Sequence, residues 1–171
     1  MTRCLAAFML LFFSFIAQAQ VSWDGGAGTA NWNDANNWNP NGVPNAGQTV
    51  TIGNGFNVVL NTNATIAGLI LGGGTSGQLT LGNNNTDRTL TVAGNITINA
   101  GAVLGTVGNG GNILNLSGNL TNNGTFNLRS GTATANLVFN GAANQTLSGT
   151  GATTNLNFIT VNNSSPSSII A

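Results

Sequence analysis

The sequence predicts an all-β fold: a right-handed parallel β-helix or β-solenoid with a Trp-rich N-terminal cap, preceded by a signal-peptide helix. Three observations carry this expectation. Short runs that alternate apolar and polar residues recur from Thr49 onward, each with a single apolar face. Asn-Gly pairs and other turn formers separate the runs. One run is a copy of another, since Leu90-Thr91-Val92-Ala93-Gly94-Asn95-Ile96-Thr97 returns as Leu114-Asn115-Leu116-Ser117-Gly118-Asn119-Leu120-Thr121 at an offset of 24 residues. A period of that length marks stacked units, none of which hides its apolar face until neighbours cover it. Because Asn-Gly turns between alternating runs equally signal hairpins, a β-sandwich of hairpins is the alternative.

The first element, residues 1–19, has the form of a secretory signal. Arg3 supplies a positive start, an apolar run extends from Leu5 to Ile16, and Ala17-Gln18-Ala19 has the small-x-small pattern at which such segments are cut. The run is about a dozen residues, short of the roughly 20 a membrane-spanning helix needs, so no stable membrane span is expected after cleavage. Cleavage after Ala19 removes Cys4 and both methionines. The remaining chain then has no thiol for a disulfide or a thiolate metal site. The expected location is secreted or cell-surface, reached by the Sec pathway, with the secretion machinery as a partner.

Residues 20–48 differ from the rest of the chain. They hold all three tryptophans, two of the three aspartates, and Pro40 and Pro44. A stack of similar units needs an atypical first unit to close its apolar interior and blunt its pairing edge, and this segment is placed to do so. Residues 49–171 carry the strand runs: 49–52, 79–81, 90–92, 95–98, 114–116, 125–128 and 136–139. Thr, Val and Ile suit a pleated, half-buried surface. A weaker echo of the copied run sets Thr65-Ile66-Ala67-Gly68 against Thr91-Val92-Ala93-Gly94. Asn side chains aligned from unit to unit can hydrogen-bond as amide ladders. At the far end Pro166 interrupts a Ser-rich stretch before Ile169-Ile170-Ala171, and no polar closing unit is evident, so the repeats read as truncated.

Composition narrows the chemistry. Asp24, Asp34 and Asp87 face only Arg88 and Arg129 beyond the signal, and the chain has no Lys, Glu, His or Tyr. Without a basic stripe there is no footprint for a phosphate backbone, and nucleic acid is not an expected partner. Acid-base and nucleophilic catalysis draw mainly on side chains that are missing, so no catalytic residue and no cofactor are assigned. Asp24 and Asp34 are weak calcium candidates through their carboxylate oxygens, but Asp in turns more commonly accepts nearby backbone N–H groups. Trp23, Trp32 and Trp38 have two readings: flat faces for sugar rings beside Asn side chains, or a small aromatic core inside the cap. Asp87-Arg88 reads as a solvated loop, where an ion pair contributes at most about 1 kcal/mol.

Trp23-Asp24-Gly25, Ala30-Asn31-Trp32, Asn36-Asn37-Trp38 and Gly42-Val43-Pro44 resemble the N-terminal unit of large repetitive surface proteins of gliding and related Gram-negative bacteria. The run from Gly118 to Asn127, with Val138-Phe139-Asn140-Gly141 and Gln145-Thr146-Leu147-Ser148-Gly149, is similar to their β-strand repeat. The resemblance implies an adhesin-like protein that normally continues into a C-terminal secretion-sorting domain. The function expected is a noncatalytic stalk or cell-envelope scaffold, with glycans or other cell surfaces as partners. The alternative is a secreted carbohydrate-binding module using the three tryptophans.

Overall fold

A strand with one apolar face must place that face against another layer, and this chain does so by coiling. The computed structural model describes residues 19–165 apart from 75, 85 and 109. Residues 1–18 of the expected 1–19 signal segment, the Asn109 half of one Asn-Gly pair, and the stretch from Pro166 to Ala171 lie outside the described residues. At the start, β1 (Ala19–Trp23) and β2 (Trp38–Asn39) flank the tryptophan segment. Strands β3 (Gln48–Ile52), β4 (Asn57–Leu60) and β5 (Ala64–Ile66) make one turn of the coil, and β6 (Gly68–Leu71), β7 (Gln78–Leu81) and β8 (Thr89–Val92) the next. A third turn comprises β9 (Ile96–Ile98), β10 (Val103–Thr106) and β11 (Gly111–Leu116). The fourth holds β12 (Leu120–Asn122), β13 (Thr125–Asn127), β14 (Arg129–Ser130) and β15 (Ala133–Phe139). Beyond it lie the short strands β16 (Leu147–Ser148), β17 (Thr153–Asn155) and β18 (Phe158–Val161).

Strands from successive turns pair in parallel to form three sheets, which makes the molecule a β-solenoid of about four turns. The first sheet runs from β1 through β3, β6, β9 and β12 to β16, the second from β4 to β17, and the third from β5 to β18. The hairpin sandwich is thereby excluded, because antiparallel pairing is confined to β1 with β2 and β14 with β15 among the named strands. One of the Asn-Gly pairs that signalled it, Asn54-Gly55, does take positive φ at both residues, 56° and 74°. That turn joins β3 to β4 in different sheets, so it makes a corner of the coil rather than a hairpin.

Each sheet contributes an inward ladder. Val21, Val50, Leu69, Ile96, Leu120 and Leu147 are successive partners in the first sheet. Val58, Leu79, Leu104 and Phe126 align in the second, and Ile66, Val92, Leu116, Phe139 and Val161 in the third. Fully burying such a side chain contributes roughly 1.5–3 kcal/mol. The residues that echo each other at an offset of 24 are direct partners: Leu90 with Leu114, Val92 with Leu116, and Ile96 with Leu120. Thr65 and Ile66 likewise pair with Thr91 and Val92.

The copied Gly-Asn step has a physical cause at one corner. A Cβ at Gly118 would meet the Gly94 carbonyl oxygen, and one at Gly94 would meet that of Ala67, so only glycine lets the turns stack this closely. The Asn after it then bonds along the axis. Asn95 Oδ1 accepts from the Asn119 backbone N–H at 2.8 Å, and Asn119 Oδ1 accepts from that of Thr146 at 2.9 Å. Elsewhere Asn155 Nδ2 donates to Asn127 Oδ1 at 3.1 Å, an amide-to-amide rung.

Candidate functional site

The tryptophan segment folds across the first turn of the coil. Its strand β1 is itself the first member of a parallel sheet, with Val21 opposite Val50. Farther along, Trp32 donates its backbone N–H to the Val59 carbonyl at 3.0 Å, and Val59 donates to that of Ala30 at 2.8 Å, so the edge of β4 is also occupied. Asn33 and Asn61 bond each other side chain to side chain at 2.7 Å near the next corner.

The three indoles pack together inside this segment. Trp38 meets Trp23 and Trp32 edge to face, with ring centroids 4.8 Å apart in both pairs. Trp38 Nε1 donates to the Trp32 carbonyl at 2.9 Å. Trp32 and Trp38 have no exposed surface and Trp23 keeps 4 %. A sugar ring needs an open aromatic face, so the expectation that Trp32 and Trp38 offer stacking platforms gives way to the packing role. Trp32 Nε1 is buried without a partner among the described residues.

Asn37, which the sequence marked only as part of the motif Asn36-Asn37-Trp38, is the polar centre of the segment. It is fully buried, and its Nδ2 lies within hydrogen-bonding distance of the Thr29 hydroxyl at 2.9 Å, the Thr29 carbonyl at 3.1 Å and the Asn31 carbonyl at 3.3 Å. Its Oδ1 accepts from the Ala27 N–H at 3.0 Å. Buried amides are stable only when so satisfied. The clue in the sequence was position alone, one residue before Trp38.

Asp24 and Asp34 are turn residues. Asp24 Oδ1 accepts from the Gly26 N–H at 2.9 Å, while Asp34 begins a short 3-10 turn, Ala35–Asn37, and accepts from the Thr29 hydroxyl at 3.2 Å. Among the described residues no group of three or more His, Cys, Asp or Glu side chains converges to hold a metal ion. The Asp87-Arg88 loop is less solvated than expected at Arg88. Asp87 is exposed, but Arg88 is half-buried, with its Nε enclosed and its backbone N–H donated to Asn112 Oδ1 at 2.8 Å.

Trp23 and Asp24 adjoin in sequence at the end of β1. They line a surface depression of about 380 Å³ with Ser22, Thr51, Asn54 and Phe56, floored in part by Gly53 and Gly73. Ser22 and Thr51 are adjacent there because β1 and β3 pair at that register. Phe56 comes just after the Asn54-Gly55 corner and packs partly on the core. A second depression, about 450 Å³, opens over Gly68 on the outer surface of the first sheet, between Thr49 and Thr97. Asp24 is the sole titratable group lining either one, and neither offers a base paired with a nucleophile.

Among the described residues no helix is long and apolar enough to cross a membrane. No curated protein and no solved structure matches the chain. A family model does match, over residues 22–140, from within β1 through the tryptophan segment and all four turns. The chain therefore belongs to the family described as a domain of unknown function, DUF8693.

Proposed function

We propose that this chain is a noncatalytic, exported β-solenoid that acts as an adhesin stalk or cell-envelope scaffold, holding what lies beyond it away from a surface. The observation that carries the reading is the continuity of the ladders, which tie β1 to β16 through one sheet by parallel pairing. A parallel stack advances about 4.8 Å per turn, and its length grows with each added unit without a new design. Support also comes from the signal-like first segment, from the poverty of acid-base side chains, and from the resemblance of the early motifs to those of large surface proteins.

Cell fractionation and N-terminal sequencing test export in the native host. The expected product begins at Gln20 and is removed from intact cells by an added protease. An uncleaved chain retained in the cytoplasm refutes the reading. For the scaffold role, single-molecule pulling along the coil axis is expected to give stepwise release of turns, whereas collapse at negligible force would leave a stalk without mechanical basis.

A further inference from the structure

We propose that the depression beside Phe56, whose lining includes Trp23 of the tryptophan cluster, is a binding site for a neutral sugar ring. A pyranose has an apolar face of C–H groups and a rim of hydroxyls, and its site needs an aromatic platform flanked by acceptors and donors. Phe56 provides the platform: it is half-buried and fixed by the core beneath. Gly25 packs against that ring: a Cβ there would lie 2.9 Å from Phe56 Cε1. Asp24 provides the acceptor. Its Oδ1 is held by the Gly26 N–H, which orients the exposed carboxylate and leaves Oδ2 for a ligand hydroxyl. Ser22 and Thr51 set two hydroxyls side by side on adjacent strands. The volume of about 380 Å³ lies in the range of small-ligand pockets, and a lone carboxylate selects against anions without assembling a metal site. The depression over Gly68 has neither an aromatic platform nor a charge, and serves as an internal control.

The test is a titration of the isotope-labelled chain with the methyl pyranosides of glucose, galactose, mannose and N-acetylglucosamine, monitored by amide NMR shifts. Saturable shifts at Ser22, Thr51 and Phe56 are expected with at least one of them, with a dissociation constant on the order of 1 mM. Asp24→Asn is expected to weaken binding about tenfold while preserving the Gly26 turn, since an amide oxygen still accepts that bond. Phe56→Leu should abolish binding, with its melting profile checked alongside. Should Phe56→Leu unfold the chain, Thr51→Val supplies the independent variant, expected to weaken binding severalfold. Three outcomes overturn the proposal: no saturable shifts with any of these sugars, shifts centred on Gly68 instead, or glucuronic acid binding as well as glucose.

Discussion

The two ends of the described coil differ in residues and in how they finish the stack. At the tryptophan end, β2 covers the outer edge of β1, the Ala30–Trp32 stretch covers β4, and the indoles close the apolar cross-section. At the other end, β16, β17 and β18 each have a neighbour on one side, with no further strand paired to them among the described residues. Leu137 and Ile159 are partners in the same inward ladder, yet Leu137 is fully buried and Ile159 is 49 % exposed. Phe139 and Val161 repeat the contrast, at 0 % and 50 %. An inward-facing residue in a solenoid thus becomes core only when a turn covers it from each side. Pattern decides the direction of the side chain, and position in the stack decides its energy.

The largest way to break this comparison is at Trp38, which touches both other indoles and bonds the Trp32 carbonyl. Trp38→Ala is expected to cost about 3–5 kcal/mol in chemical denaturation, whereas Val161→Ala should cost under about 1 kcal/mol. Since stability in a stack is nearly a sum of neighbour terms, the loss should begin locally. Hydrogen exchange in Trp38→Ala should accelerate first in β1, β3 and β4, with β10 and β11 still protected. Uniform acceleration along the coil would show instead that the turns melt as one cooperative unit.

A polar version of the same comparison is smaller. Asn37→Ala leaves the Thr29 and Asn31 carbonyls and the Ala27 N–H without their partner inside the segment, and about 2–3 kcal/mol is expected to be lost. Asn155→Ala removes rung bonds to Asn127 Oδ1 and the Arg129 carbonyl, but all three residues there lie closer to water, the first and last exposed. Its expected cost is under about 1 kcal/mol, because solvent replaces what the side chain gave. Equal losses in paired melting experiments would mean that burial is not what separates the two asparagines.

Legibility in the sequence obeys the same division between direction and position. Strands with strict alternation, such as Leu90-Thr91-Val92 and Leu114-Asn115-Leu116, were legible because their direction is written in period two. So was the partner relation at an offset of 24, because equal corners demand Gly-Asn at equal places. Strand β6, Gly68-Leu69-Ile70-Leu71, was not read: three successive aliphatic residues hide the alternation, although Ile70 faces outward. Nor was the depression at Phe56, whose lining comes from three separate stretches that meet only because β1 pairs with β3 and the Gly53–Phe56 corner folds back. Asn37 was indistinguishable from its neighbours, since hydrogen bonding to four groups of one loop leaves no periodic trace.

The smallest effect sharpens the comparison most, because it uses one replacement residue at two partnered sites. Threonine keeps the β-branched shape of isoleucine but puts a hydroxyl in place of apolar carbon. At Ile159, with half its surface in water, Ile159→Thr leaves that hydroxyl hydrated, and the stability change is expected to stay within about 0.5 kcal/mol. At Leu137, enclosed between β11 on one side and β18 on the other, Leu137→Thr strands the hydroxyl in an apolar interior and removes packed volume. A cost of about 2–4 kcal/mol is expected there. Thermal or urea melts of the two variants give the ratio directly. If Ile159→Thr proved as damaging as Leu137→Thr, then something covers the last turn in solution, and the two ends of the coil would be closed alike.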